Sequence, residues 1–269
     1  MPEQQEVPQR SQGRQQQKMK GMNDMNMIDP KGLAGYNAGV EVGRLHRGLG
    51  LIEFARTKEI LLAELGYEVH LFDLAETHIR MAKEAEKACH LADAVVADAR
   101  SIPRGDGTAD AILLFGPLYH IVEWEERARC LAECRRLLKP GGKLFTANIT
   151  CFSTALKYTE LYDCRPAFDD DAVYDMVAAT VRTGLHRGDE IGLVYFHRPE
   201  ELRREVADAG FVDVDLRGVI GPAWIIRNLD EVWDDLVKRE AILRIVRLLE
   251  KEESLMGFST HFLSISTKA

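Results

Sequence analysis

Four apolar runs of strand length recur along the middle of the chain. Within some of these runs apolar and polar residues alternate, and others are apolar on both faces. Three of the runs end at an acid or a glycine. The runs span 68–73, 94–97, 110–115 and 143–149. Short apolar segments of this kind predict strands of a largely parallel sheet that is buried on both faces.

Segments with helical spacing lie between these runs. One begins near Glu76, and another spans 124–138 and is stopped by Lys139-Pro-Gly-Gly142, where glycine can end a helix and proline cannot continue one. Strands that alternate with helices predict an α/β fold in which helices cover both faces of one sheet.

The remaining chain predicts four further parts. Residues 1–30 are rich in Gln and charge and poor in aliphatics, which predicts a disordered tail. Residues 31–66 carry an amphipathic helical pattern and are interpreted as a helical lid, ahead of a core at 67–150. Residues 151–190 have helical character and the acids Asp169, Asp170 and Asp171, so they predict an inserted helical cap.

Residues 191–269 are interpreted as the C-terminal part of the core. A helix is expected after Arg198, where proline stands in the first turn, and a strand at 211–216. A long amphipathic helix is expected at 229–253, and a last strand at 259–267.

The composition of the chain limits the kinds of ligand and partner that are expected. The chain has 269 residues, 46% of them hydrophobic and 29% charged, with a formal net charge of -8. This charge argues against a nucleic-acid partner and favours small neutral or cationic ligands. Neither a membrane helix nor a signal peptide is evident, so a cytoplasmic protein is expected.

Five cysteines, an odd number without a C-x-x-C pair, predict reduced thiols and neither a disulfide framework nor a zinc site.

The acids that follow two of the strands are candidate ligand contacts, because ligands of open parallel sheets bind beyond the carboxyl ends of the strands. Asp73 is suited to accept hydrogen bonds from both hydroxyls of a ribose. Alternatively, it is an acid that flanks the next helix and stabilises it through the helix dipole. Asp98 is suited to accept from an adenine amino group, with the Ala99 amide beside it.

The third strand leads into Gly116-Pro117, where backbone can approach a ligand closely, and then into Tyr119 and His120. His120 is a candidate general base, or alternatively a packed or capping histidine.

Six motifs in order resemble the class I S-adenosylmethionine-dependent methyltransferases of small molecules, the type 11 group. They are GYEVHLFDLAETHI, VVADARSIP, ADAILLFGPLYHI, CRRLLKPGGKLF, YFHRPEELRREVADAGF and STHFLSISTK. The resemblance covers most of the chain from about residue 36. It implies a Rossmann-like sheet, mostly parallel with an antiparallel last strand, and S-adenosylmethionine as the methyl donor.

The resemblance also implies roles for particular residues. Asp73, with Leu74 beside it, would contact the ribose, and Asp98 with Ala99 the adenine. Phe115 and Gly116 would form the floor of the cofactor site. Tyr36 and Arg44, in a lid folded over the cofactor, become candidate contacts to its carboxylate, or else they cover the edge of the core.

The chain departs from the family at the first motif. The family opens its sheet with a strand, a glycine-rich turn and a helix, whose amides meet the methionine end of the cofactor. Only residues 61–67 stand where these elements need about 20 residues. Gly48 and Gly50 follow no apolar strand. The central first strand is therefore interpreted as deleted, through a real deletion or an omitted stretch of coding sequence.

Three function hypotheses follow. The leading one is methyl transfer to a small-molecule acceptor, in which proximity and orientation do most of the work, His120 deprotonates a hydroxyl, and no metal takes part. The second is a non-catalytic methyltransferase-like binding protein, which the missing turn favours. A nicotinamide-dependent oxidoreductase is the third hypothesis, and it is weakened because it also needs the glycine-rich turn that this sequence lacks.

Overall fold

The computed structural model describes residues 34, 52–53, 56, 68–89, 91–161, 170–188, 191–226 and 228–269. The predicted tail at 1–30, the candidate contacts Tyr36 and Arg44, and the segment at 61–67 lie outside these residues. So does most of the predicted lid, of which Ala34, Ile52, Glu53 and Arg56 are described.

The described chain is an α/β structure in which strands and helices alternate as expected. The strands are β1 (Val69–Asp73), β2 (Leu91–Val96), β3 (Ala109–Phe115), β4 (Leu138–Ile149), β5 (Leu185–Gly188), β6 (Gly192–Tyr195), β7 (Phe211–Gly218) and β8 (His261–Lys268). The helices are α1 (Glu76–Cys89), α2 (Pro117–His120), α3 (Trp124–Leu137), α4 (Ser153–Leu161), α5 (Asp171–Thr183), α6 (Pro199–Asp208), α7 (Leu229–Trp233), α8 (Leu236–Leu249) and α9 (Glu253–Met256).

The strands of the core form two sheets and not the expected single one. β1 pairs with β2 in a two-stranded parallel sheet, while a four-stranded sheet has the order β3-β4-β8-β7. β3 and β4 are parallel, and β8 runs antiparallel to β4, with Lys143 opposite Thr267 and Ile149 opposite His261. Among the described residues no ladder joins β1 to β3, so the prediction of one sheet is wrong, while the predicted directions hold for the strands that pair within each sheet.

Strand β4 starts earlier than predicted. It begins at Leu138 and includes the Pro-Gly-Gly segment that was expected to separate helix from strand. Ala109 pairs with Leu138 and Ala111 with Lys143, so the register shifts between them. Gly141, at φ 76, takes the left-handed conformation within this irregular stretch, which other residues adopt only with strain.

The expected long helix at 229–253 is three shorter helices, α7, α8 and α9. The interruption between α7 and α8 has a local cause at Asp235, whose carboxylate accepts hydrogen bonds from the amides of Val237 at 3.0 Å and Lys238 at 3.2 Å. An aspartate that satisfies the first free amides of a helix starts a new helix there. The prediction of one continuous helix was wrong because it rested on apolar periodicity, which does not show that Asp235 caps a new helix.

The segment predicted as a helical cap contains α4 and α5, followed by β5, which pairs with β6 as an antiparallel hairpin. Gly184 ends α5 at φ 75, and a Cβ there would stand 2.7 Å from the carbonyl oxygen of Phe196. Helical character therefore stops at Thr183, since only glycine fits between helix and hairpin. The division of the chain at 151–190 stays a prediction.

Two apolar clusters form most of the described core. One lies around α3, β3, β4 and α6 and includes Leu118, Leu131 and Phe262. The other joins β8, α8 and the segment after β7 to Ile52, which is fully buried. Arg56 pairs with Glu250. The described part of the leading segment is therefore attached to the C-terminal half of the core.

Polar contacts connect the residues between β2 and β3 to α3. Arg100 pairs with Glu126 at 2.7 Å, the Ile102 amide donates to Glu133 at 2.7 Å, and Arg136 donates to Asp106 at 2.6 Å. These bonds tie the chain that leaves the two-stranded sheet to a helix of the four-stranded one. None of the helices described is long and apolar enough to cross a membrane.

The described cysteines agree with the expectation of reduced thiols. Cys130, Cys134 and Cys151 are free and buried. A hydrogen bond with the Cys134 thiol, together with burial, raises the pKa of Cys130 well above its usual value. Cys130 is therefore an unreactive thiol packed in the core.

Candidate cofactor site

Asp73 ends β1, and its carboxylate is fixed by two local bonds. Oδ1 accepts from the backbone amide of Ala75 at 2.7 Å, and Oδ2 lies 3.0 Å from Nδ1 of His78 in the first turn of α1. The carboxylate is partly exposed. Both interpretations of Asp73 remain compatible with this geometry, because a carboxylate that orders the start of a helix still has lone pairs for a ligand.

His120 ends α2, close to the carboxyl end of β3, and its ring lies 4.6 Å from that of Tyr119. Burial lowers the pKa of His120 to about 4, although the negative charge of Asp73 acts in the opposite direction. The charge of Asp73, at the end of β1, therefore acts on His120, which follows a strand of the other sheet. At neutral pH the imidazole is uncharged.

The lowered pKa of His120 predicts a loss of stability in acid. Between pH 6.5 and about 4 the unfolded chain binds a proton at this histidine and the folded chain does not, so the free energy of unfolding falls as the pH is lowered through that window. Urea titrations from pH 8 to 4 measure the slope. We expect His120→Asn to have a shallower slope, and an unchanged slope in this variant would contradict the assignment.

Asp98 lies two residues after β2 and is held by Arg100. The guanidinium contacts both carboxylate oxygens, with Nη2 to Oδ2 at 2.5 Å and Nε to Oδ1 at 3.0 Å, and the Arg100 amide donates to Oδ1 at 2.9 Å. The hydrogen bond from Arg100 lowers the pKa of Asp98 against the opposing effect of burial. An adenine amino group would therefore have to share this carboxylate with Arg100.

The turn after β3 has the conformation that the sequence suggested. Gly116 is at φ 120, where a side chain is strained, and it precedes α2 with Pro117 in the first turn. The Phe115 side chain is 37% exposed, whereas Leu114 before it is buried. An exposed phenylalanine beside a glycine leaves a flat apolar surface at this end of β3.

A buried ion pair supports the loop that follows His120. Arg127 of α3 donates to the carbonyl oxygens of Ile121 at 3.2 Å and Val122 at 2.6 Å, and to Glu205 of α6 at 2.7 Å. His197, fully buried, lies 3.3 Å from the same carboxylate. Burial alone would raise the pKa of Glu205, but the bonds from His197 and Arg127 outweigh it and hold the pKa down to about 2.

The sequence-based candidates thus differ in their surroundings. The charge of Asp73 acts on His120, whereas Asp98 is already bound by Arg100. Leu74 is half-buried beside Asp73, and Ala99 is partly buried beside Asp98. Tyr36 and Arg44 lie outside the described residues. None of these placements tests a binding role.

Sequence reasoning missed His78 and Arg100, which contact the two candidate acids. Each had a local signal. His78 stands in the first turn of a helix that begins three residues after Asp73, and Arg100 stands two residues after Asp98 in a loop. A side chain with an N–H donor so close in sequence to a terminal acid is able to reach its carboxylate.

Comparison with known proteins agrees with this architecture. Residues 56–146 match the family model of a methyltransferase domain, type 11. A search among curated proteins found no significant match.

Among solved structures, an S-adenosylmethionine-dependent methyltransferase from Methanosarcina mazei is 20% identical, with a TM-score of 0.46 over 78% of this chain and 86% of that one. A methyltransferase from Thermotoga maritima, named as a possible histamine N-methyltransferase, is 16% identical, with a TM-score of 0.48 over 89% of this chain and 99% of that one. Likenesses at these TM-scores assign no substrate.

The motif order, the strand directions and the family match at 56–146 agree with one another. Residues 56–146 therefore resemble a type 11 methyltransferase domain, a kind of domain that binds S-adenosylmethionine as the methyl donor.

Proposed function

We propose that this chain binds the nucleoside half of S-adenosylmethionine and transfers a methyl group to a small-molecule acceptor, at low activity. The observation that carries the proposal is the carboxylate of Asp73 at the carboxyl end of β1, anchored through both oxygens and within electrostatic reach of His120. This is the edge of a parallel sheet at which ligands bind.

In this proposal the chain's own residues bind and orient. Asp73 accepts from the ribose hydroxyls, with Leu74 beside it, and Ala99 presents its amide near the adenine. Phe115 and Gly116 form the floor. Bound S-adenosylmethionine supplies an already activated methyl group, so the protein needs mainly to align the acceptor.

His120 is the proposed proton acceptor for a hydroxyl on the substrate. It is uncharged at neutral pH, as a base must be, but a pKa of about 4 makes it a weak base. The proposal therefore favours acceptors that lose their proton easily, or lose it only after the methyl group has been transferred. Acceptors that need a strong base are disfavoured.

The methionine half of the cofactor fits less well. The sequence has no glycine-rich turn after an apolar strand, so the amides that would meet the cofactor's carboxylate are missing.

The charge of the chain and its acidic cap residues, Asp170 and Asp171, support a neutral or cationic acceptor.

Titration calorimetry with adenosine tests the nucleoside assignment. Asp73→Asn is expected to weaken adenosine binding about 10-fold or more, because hydrogen bonds to an ionised carboxylate are worth about 1.5–3 kcal/mol each. Asp110→Asn is the matched control, since Asp110 stands near the start of β3 and pairs with Lys139 at the surface. Equal binding by the wild type and Asp73→Asn would refute the role of Asp73.

A non-catalytic methyltransferase-like binding protein is the second candidate. Two observations favour it, the missing turn and the engagement of both Asp98 oxygens by Arg100. Transfer of a labelled methyl group from saturating S-adenosylmethionine to a panel of small amines and alcohols separates the two. Transfer that disappears in Asp73→Asn supports the enzyme, whereas nucleoside binding without any transfer supports the second candidate.

A further inference from the structure

His78 supplies one of the two anchors of the Asp73 carboxylate. It lies in the first turn of α1, and its Nδ1 is 3.0 Å from Oδ2 of Asp73. The Ala75 amide holds the other oxygen, Oδ1, at 2.7 Å. The His78 and Asp73 side chains are 27% and 36% exposed, so the pair is partly accessible to solvent.

The two anchors act on different oxygens of one carboxylate. An ionised carboxylate has about four lone-pair positions, two on each oxygen. Among the described residues, one position on Oδ1 is used by Ala75 and one on Oδ2 by His78, and these two bonds leave one position on each oxygen. Two acceptors side by side match the two neighbouring hydroxyls of a ribose.

The anchor on Oδ2 also fixes the orientation of the carboxylate. The terminal torsion of an aspartate is broad, so a carboxylate held at one oxygen alone still rotates. The Ala75 bond belongs to the backbone and is present whatever residue stands at 78. The bond from His78 is the one that a side-chain substitution removes.

We propose that His78 is a positioning residue for Asp73, which it orients to recognise a vicinal diol of the nucleoside. The inference rests on the proposed nucleoside role of Asp73 and deepens it. It predicts that His78 governs the preference for a ribose over a deoxyribose, more than the affinity for nucleosides in general.

The test compares adenosine with 2′-deoxyadenosine by titration calorimetry on the full chain. The wild type is expected to prefer adenosine by about 10-fold, the contribution of one hydrogen bond to a charged group. His78→Ala is expected to reduce this preference to about 2-fold, mainly by weakening adenosine binding. His78→Asn retains a side-chain N–H at a similar distance from the backbone and is expected to restore most of it.

The outcomes separate this inference from the proposed function. If Asp73→Asn abolishes the preference and His78→Ala leaves it intact, His78 is not a positioning residue and the role of Asp73 stands. If His78→Ala weakens both nucleosides equally, or if His78→Asn fails to rescue while its melting temperature is unchanged, the inference is overturned. A wild type with no preference overturns the role of Asp73 and this inference together.

Discussion

Replacing Arg127 with methionine is expected to lower the free energy of unfolding by about 3–5 kcal/mol, since removing one partner of a buried ion pair leaves Glu205 charged with only the His197 ring beside it. The Arg127 and Glu205 side chains are 3% and 10% exposed. The guanidinium also lies over the ring of Tyr195, 4.0 Å from its centre. The substitution thus removes contacts to α6, to β6 and to the loop after His120.

A neighbouring pair provides the control. Arg203 lies on the same helix as Glu205 and pairs with Glu253 at 2.9 Å, but both side chains are exposed. Arg203→Met is expected to cost no more than about 1 kcal/mol. The double variant Arg127→Met/Glu205→Leu is expected to be more stable than Arg127→Met, because it leaves no unpaired charge. Urea unfolding measures all three, and equal losses for Arg127→Met and Arg203→Met would contradict this account.

This cluster was not predictable from the sequence. Arg127, His197 and Glu205 lie on α3, on the chain after β6 and on α6, up to 78 residues apart. Charged residues at helical spacing are usually solvated, and local pattern carries no information on which of them the fold buries. The contacts exist only once α3 and α6 pack together.

The strands of the core were predictable because each is a local property. Apolar alternation located β1, β7 and β8 to within two residues, and a short continuous apolar run located β3 equally well. The antiparallel last strand followed from the family resemblance. The division into two sheets was not predicted, since hydrogen bonding between β1 and β3 depends on what stands between them. A sheet that lacks a strand near its middle would divide in this way, although the deletion itself stays a prediction.

The candidate site was predictable to the level of strand ends and no further. Asp73 and His120 were selected because ligands bind beyond the carboxyl ends of parallel strands, and in the structure the charge of Asp73 acts on His120. Their partners depend on side-chain rotamers, which a pattern of residue types does not specify. Arg100 therefore changes the interpretation of Asp98, and His78 that of Asp73, only once distances are known.

S-Adenosylmethionine is expected to bind this chain about 10³-fold more weakly than it binds an intact type 11 domain, because two or three hydrogen bonds to its carboxylate, each worth about 1.5–3 kcal/mol, are missing. A comparison within the chain follows. The methionine half contributes little here, so S-adenosylmethionine and adenosine are expected to bind within about 10-fold of each other. Titration calorimetry with both ligands measures this ratio on one protein preparation.

A gain of function gives the sharper test. A strand, a glycine-rich turn and a helix of about 20 residues, taken from an intact type 11 domain and placed where residues 61–67 stand, would supply the missing amides. Affinity for S-adenosylmethionine is expected to rise about 10³-fold while affinity for adenosine changes little, and a glycine-serine linker of equal length is expected to give no gain. Micromolar binding by the unaltered chain, lost in Asp73→Ala, would show instead that another segment has replaced the glycine-rich turn.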